Sequence, residues 1–390
     1  MLPARRHGLL DLVGFSRCCL QNQNLQATED GMREIGLSVQ TMFADLVQQC
    51  ADAAFESDFP ENGSFSRKSR RGRDYWYYQG YGASGRYTRY VGPADDPDIA
   101  ERVARFKELK GSFRERRRAV SALKAAGLPA PAAFVGDLLE GLTRAGLFRL
   151  RCVLIGTQAY QTYAGTLGLI LPSAQLTTAD LDIAQFHGVS VSVEDTLPPI
   201  LDILHQIDPT FRPVPDQAQP MQATSFINSR RYMVEFLTPD RGSDDFTGRP
   251  APMPALGGAS ARALRFLDFL IRDPIRSVLL HGSGIPVTVP APERYAVHKL
   301  IVASRRRASG DTGKREKDLA QAGTLIQALG AHRGLDLTEA WIEAWQRGPA
   351  WQEALVRGRA GLNDGARDSL GTSVTRAAAD LEVPPADVGF

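Results

Sequence analysis

Apolar residues recur along this chain with two periods. From Leu37 to Phe55, the positions Val39, Met42, Phe43, Leu46, Val47, Cys50 and Ala54 share one helical face, which predicts an amphipathic helix. The aromatic-rich runs Asp74–Tyr81 and Arg86–Val91 flank the turn-forming Gly82–Gly85, which predicts a β-hairpin. Residues 97–126 read as charged helix, and Ala132–Ala145 as a second helix stopped by Gly146. The apolar run Cys152–Ile155 then meets Gly156-Thr157, a helix-like segment and the loop Pro172–Thr178. A short strand carrying Asp180 and Asp182 follows. Two further strands are predicted at Gln222–Asn228 and Arg231–Leu237, and a helix at Ala259–Ile271. The runs Ser277–His281 and Ile285–Val289 form a strand pair expected to extend the central sheet. Pro292 opens a helix from its first turn, and Leu337–Trp345 forms another.

The ends of the chain lack this patterning. Residues 1–35 and the Ala-, Gly- and Arg-rich residues from Gly361 onward are expected to be weakly ordered. Ser66–Arg73 reads as a basic linker, and Arg241–Phe246 with Gly248–Pro252 as a loop over the site. A chain of 390 residues is long enough for two or three domains, and its 43% hydrophobic content is ordinary for a globular protein. A formal charge of +2 implies no polyanionic partner, so local clusters must carry any such argument. Cys18, Cys19, Cys50 and Cys152 show no metal-ligand spacing, and neither do His187 and His205. No apolar run approaches the ~20 residues that span a bilayer, and no leader pattern opens the chain, so no membrane partner and a cytoplasmic location are expected.

The chemistry gathers at Leu150–Ile183. Side chains at i and i+2 of a strand share a face, so Asp180 and Asp182 point the same way. Paired carboxylates are natural ligands for Mg²⁺, which prefers carboxylate oxygen and water. Gly156 lets the backbone approach a phosphate closely, Thr157 adds a hydroxyl, and the amides opening the next helix favour an anion.

The segments Val153–Tyr160, Thr178–Ile183 and Pro292–Leu300 resemble the nucleotidyltransferase domains of the DNA polymerase beta superfamily, in particular a group of bacterial proteins of about this length. A more distant resemblance is to abortive-infection-type nucleotidyltransferase toxins. The likeness is read from about Leu37 to Leu329 and includes the aromatic hairpin. It implies an α/β (α+β) fold with a mixed-sheet core. Its third acidic residue falls on Glu235, where the family more often carries Asp; Thr157 stands where Ser is usual. It also places Lys299 near the nucleotide, with a later K/R-x-x-D-L element at Lys314–Leu319, where Lys317 and Asp318 read as an inter-helix ion pair or a helix start. The domain expectation is a poorly ordered extension (1–35), N-terminal helices with the hairpin (36–146), the nucleotidyltransferase core (147–292), a helical region (293–360) and a tail (361–390).

The expected activity is transfer of an NMP group from a nucleoside triphosphate to an acceptor hydroxyl on protein, RNA or a small molecule, releasing pyrophosphate. Asp180, Asp182 and Glu235 would hold two Mg²⁺, with Gly156, Thr157 and Lys299 binding phosphates. The alternative is a non-catalytic, antitoxin-like regulator that binds nucleic acid on a degenerate form of the same fold. Arg73, Tyr75, Tyr77, Arg86 and Arg89 are candidate nucleic-acid contacts, because arginine interleaved with aromatic rings suits phosphates and bases. The plainer reading of that hairpin packs its rings on neighbours and leaves its arginines in water. Asp195 reads as a helix cap.

Overall fold

The computed structural model describes residues 25–27, 33–58, 63–70, 72–82, 85–104, 106, 113–215, 222–240, 249–306 and 312–390. Two short strands, β1 (Leu25–Ala27) and β2 (Arg33–Ile35), pair antiparallel ahead of α1 (Leu37–Asp58). The predicted apolar stripe of α1 is real: Val39, Phe43, Leu46 and Cys50 are buried, four helical steps down one face. They pack in one cluster with Val120, Leu123, Val278 and Leu280.

An antiparallel sheet of three strands comes next, β3 (Ser64–Arg70), β4 (Arg73–Gly82) and β5 (Gly85–Pro93), in the order β3-β4-β5. The predicted hairpin is β4–β5, but Ser66–Arg73 is mostly the strand β3 rather than a linker. Its alternating serines and cations pair residue by residue with Ser69↔Asp74, Arg67↔Trp76 and Phe65↔Tyr78. The charged helical stretch divides into α2 (Pro97–Ala104) and α3 (Phe113–Ala125), and α4 (Ala133–Arg144) delivers the chain to the central sheet.

That sheet has seven strands. β6 (Val153–Ile155) leads into α5 (Gly156–Leu167), and β7 (Asp180–Ala184) follows. The short helices α6 (His187–Ser192) and α7 (Ile200–His205) precede β8 (Arg212–Pro213), β9 (Ser225–Ile227) and β10 (Met233–Pro239). β11 (Pro250–Pro252) and β12 (Ser260–Leu264) complete it. β10 is the axis: it runs parallel to β7 on one edge, and on the other pairs parallel with β12 and antiparallel with β9. β6 closes antiparallel on β7. Leu181, Ile183, Val234 and Phe236 have no exposed surface, so one face of β7 and β10 is core and the alternate residues look the other way.

Two expectations fail here for a stated physical reason. Ala259–Ile271 is not a helix: Ser260, Ala261 and Ala263 are buried in β12, and only α8 (Leu267–Leu270) is helical. Short alanine-rich runs carry little periodicity, and pairing with β10 decides the outcome. The predicted strand pair is present as β13 (Ile275–Leu279) and β14 (Ile285–Val289), but it forms a separate two-stranded sheet. The expected loop Arg241–Phe246 lies outside the described residues, as does Gly248.

Five helices finish the chain: α9 (Pro292–Arg305), α10 (Thr312–His332), α11 (Gly334–Trp345), α12 (Pro349–Ala360) and α13 (Asp364–Asp380). The tail read as weakly ordered is therefore helical. Asn363 caps α13 through its side chain, and Ala366, Leu370 and Val374 are buried at helical spacing. Their small size and the flanking glycines hid the pattern. These residues belong to the same buried cluster as Leu181, Val234 and Leu300, so the sheet and the C-terminal helices share one core. Among the described residues no helix is long and apolar enough to cross a membrane. Leu370→Ala should destabilise the protein by roughly 2–5 kcal/mol, read from urea unfolding. An unchanged midpoint would mean that α13 is not part of this core.

Candidate active site

Backbone register brings the carboxylates together. Asp180 and Asp182 alternate with buried Leu181 and Ile183, and Asp182 pairs directly with Glu235 across parallel β7 and β10. Paired residues of neighbouring strands share a face, so Asp180, Asp182 and Glu235 rise on the side of the sheet away from the core. On the other edge Ile155 pairs with Asp182, and the next residue is Gly156. The strand turns into α5 with no intervening loop, which Gly156 permits at φ 67°. A Cβ there would stand 2.5 Å from Asp182 Oδ2. Glycine thus leaves open the space between the turn and the carboxylate.

Each acid has its own restraint. The Thr178 hydroxyl donates to Asp180 Oδ1, and the Tyr232 phenol donates to the Asp180 carbonyl at 3.3 Å. Arg262, the polar residue of β12, stands 3.6 Å from Glu235 Oε1. Burial, then Asp180 and Glu235, push the Asp182 carboxyl up to about 7, against a smaller downward pull from Lys299 and Lys314. Three half-buried acids on one face form a site short of positive charge.

The positive charges nearby come from α9 and α10. Lys317 donates to Thr157 Oγ1 at 2.8 Å and also to the Thr177 carbonyl. Its ammonium is lowered in pKa, first by burial and then by Lys299. Lys299 is turned the other way: its Nζ lies 2.6 Å from Asp318 Oδ1, and Arg306 Nε lies 2.6 Å from the second oxygen. Asp318 is nearly fully buried. The inter-helix ion pair expected of Lys317 and Asp318 is thus formed by Lys299 and Asp318, and Lys317 is the cation on the Gly-Thr turn. Positions 314, 317 and 318 lie on adjoining parts of one helical face, and this spacing was the available signal.

Several contributors were not legible beforehand. Tyr295 is fully buried; its Oη sits 3.0 Å from the Gly156 carbonyl and 3.1 Å from Gln321 Oε1. Gln321 in turn donates to the Gln175 carbonyl at 2.8 Å. This chain ties the Gly156 turn to α9 and α10. Arg262 was missed because its segment reads as helix.

The donor set fits divalent cations in its chemistry: three oxygen acids, an open glycine turn and a carboxyl whose charge the protein leaves undercompensated. Their ligand atoms do not all lie within 4.8 Å of one another, and an Arg262 guanidinium nitrogen stands 3.6 Å from Glu235 Oε1. Among the described residues the trio within that limit is a different one, Asp137, Glu140 and His281. There Asp137 is held by His281 Nε2 at 3.0 Å and Glu140 by Arg144 at 2.7 Å.

The aromatic sheet behaves as packing. Tyr77 is 1% exposed, with Lys68 Nζ 4.7 Å above its ring and Tyr90 5.7 Å away, so it cannot stack on a base. Arg89 lies over Tyr87 at 5.0 Å, and Arg86 donates to Gln79. Arg73 is exposed, and Tyr75 is half-buried with its ring 6.0 Å from Tyr90. Asp195 is no cap: it binds the Arg149 guanidinium.

Residues 133–346 match the nucleotidyltransferase family, and the chain belongs to it. The matched span holds Gly156, Thr157, Asp180, Asp182, Glu235, Lys299 and Lys317, and it begins after the aromatic sheet, which the sequence likeness had included. No curated protein matches. A solved structure, an antigenic nucleotidyltransferase-like protein from Paracoccidioides brasiliensis, aligns with 59% of this chain and 95% of its own at 12% identity and a TM-score of 0.27.

The sign of the pH dependence follows from Asp182. A carboxyl raised from about 4 to about 7 by folding favours the folded state below pH 4, and that contribution is lost as pH rises through 7. In EDTA, Asp182→Asn should therefore gain thermal stability over the parent as pH rises from 4 to 8, by ~2–4 kcal/mol at the top. A constant difference across that range would contradict the assigned environment.

Proposed function

We propose that the chain is a metal-dependent nucleotidyltransferase, moving an NMP group from a nucleoside triphosphate to an acceptor hydroxyl and releasing pyrophosphate. The observation that carries this reading is the register of β7 and β10, which sets Asp182 beside Glu235, with Asp180 on the same face and Gly156 next to Asp182. General nucleotidyl transfer is the property of the family.

Asp180, Asp182 and Glu235 would hold two Mg²⁺, which when bound polarise the α-phosphate and offset charge on the attacking and leaving oxygens. The acceptor oxygen attacks the α-phosphorus, and the bond from that phosphorus to the bridging oxygen breaks. Gly156 and the first amides of α5 receive the phosphate oxygens, as a twelve-residue helix start can. Thr157 supplies a hydroxyl, and Lys317 moves its ammonium from Thr157 to the departing pyrophosphate. Thr178 keeps Asp180 oriented, and Tyr295 fixes the carbonyl of the glycine turn. One of the three carboxylates assists removal of the acceptor's proton. Lys299 acts by holding Asp318 and α10, which carries Lys317.

The test is incorporation of label from each α-labelled NTP into cell extract with Mg²⁺, parent against Asp180→Ala, Asp182→Ala. Label from the parent alone is expected, and its nuclease or protease sensitivity would name the acceptor. No label with any NTP would leave the binding-regulator reading. Lys317→Ala should lower transfer 10–100-fold with little change in melting temperature. Lys299→Ala should instead cost stability, up to ~3 kcal/mol, because it uncovers a buried carboxylate. The reverse pattern would return the phosphate role to Lys299.

A further inference from the structure

A cleft of about 650 Å³ lies between β3–β5 and the segment leaving α6, within the size range of small-molecule sites. One wall carries Lys68 and Arg70 of β3 with Tyr75, Tyr77 and Tyr90; the other carries Arg151 and the run that ends in Glu194. It is separate from the carboxylate site. Val153 pairs with Ala184 whereas Ile155 pairs with Asp182, so Arg151 stands beyond the far end of β6. Four residues lie between it and Gly156, roughly 15 Å of extended chain.

Three cations, Lys68, Arg70 and Arg151, face this space against one acid, Glu194. Glu194 is shared: Lys68 Nζ lies 3.5 Å from one of its oxygens and Arg70 pairs with the other. All three of these side chains are more than a third exposed, so their ion pairs are worth little and are easily exchanged. Arg151 draws the raised pKa of the Tyr90 phenol back down, against the larger effect of burial. It holds a left-handed backbone at φ 62°, a conformation that a non-glycine residue rarely adopts. Behind the cleft, Arg149 binds Asp195 and reaches the Tyr90 carbonyl at 3.4 Å, with both ionic side chains nearly buried. That clamp fixes β5 to the residue after Glu194, so the two walls are set before any ligand arrives. Because Lys68 covers the Tyr77 ring, the cleft selects for negative charge rather than for a flat base.

We propose that this cleft is a second ligand site, for a small phosphate-bearing anion, and that the Glu194 carboxylate is the internal occupant the ligand displaces. The site stands apart from the catalytic reading, and its test is built to answer without it. The full chain carrying Asp180→Ala, Asp182→Ala and Lys317→Ala is titrated in EDTA with inorganic phosphate, pyrophosphate and AMP in separate calorimetric runs. At least one of the three should bind, and their ranking tells whether the phosphate arrives free, as pyrophosphate or on a nucleotide. Adding Arg151→Asn, which tolerates the left-handed backbone, or Lys68→Gln should weaken that binding at least 10-fold. Adding Glu194→Gln should tighten it several-fold, a gain that a merely structural role for Glu194 would not give. Binding of none of the three anions would overturn the proposal. So would binding that is indifferent to Arg151→Asn, Lys68→Gln and Glu194→Gln alike.

Discussion

Mutual repulsion among Asp180, Asp182 and Glu235 is the constraint that the central structure has to meet. Nothing in their own chemistry favours assembling them: burial, and then the charges of Asp180 and Glu235, push the Asp182 carboxyl up to about 7. What brings them together is hydrophobic. Leu181, Ile183, Val234 and Phe236 are buried on the opposite face, and a one-residue slip of β10 on β7 would drive that set into water. Register is therefore enforced by the core, and the acids are carried to their places by residues that never touch them. A site assembled in this way keeps an unmet charge, which suits it to cations.

The helices supply the complement. α9 and α10 contribute Lys299, Lys317 and Lys314, and the structure divides the labour among them by burial. Asp318 is nearly fully buried and needs partners, so it takes Lys299 and Arg306. Lys317 is left to reach the Gly-Thr turn. Tyr295, lodged in the core between these helices and α5, transmits their position to the Gly156 carbonyl. The seating of the Gly156 turn and that of the C-terminal helices are one structural problem, consistent with a shared buried cluster running to α13.

How much was legible follows from the strength of each local signal. α1, α4, the β4–β5 hairpin and the strand pairs around Asp180 and Glu235 carry strong periodicity or turn chemistry, and they stand where the sequence placed them. β12 did not, since buried alanines and serine give no contrast, and its only large polar residue, Arg262, was lost with it. α13 escaped notice for a related reason: its buried face is built from Ala366, Leu370, Val374 and Ala377 among glycines and serines. Within the site, the shared face of Asp180 and Asp182 was readable from alternation, whereas Glu235 came from the family likeness and its pairing with Asp182 from the structure. The exchange of partners between Lys299 and Lys317 was not readable, because adjacent residues 317 and 318 differ in burial by a rotation that only tertiary packing sets.

The central claim is that the three strand carboxylates form a cation site. Its most direct test is a Mn²⁺ titration of the full chain at pH 8, followed by electron paramagnetic resonance, for the parent and for Asp182→Asn. The parent should bind Mn²⁺ with an affinity that falls as pH drops below about 7, and the variant should lose that binding while remaining folded. Equal Mn²⁺ uptake by the two proteins would contradict the claim.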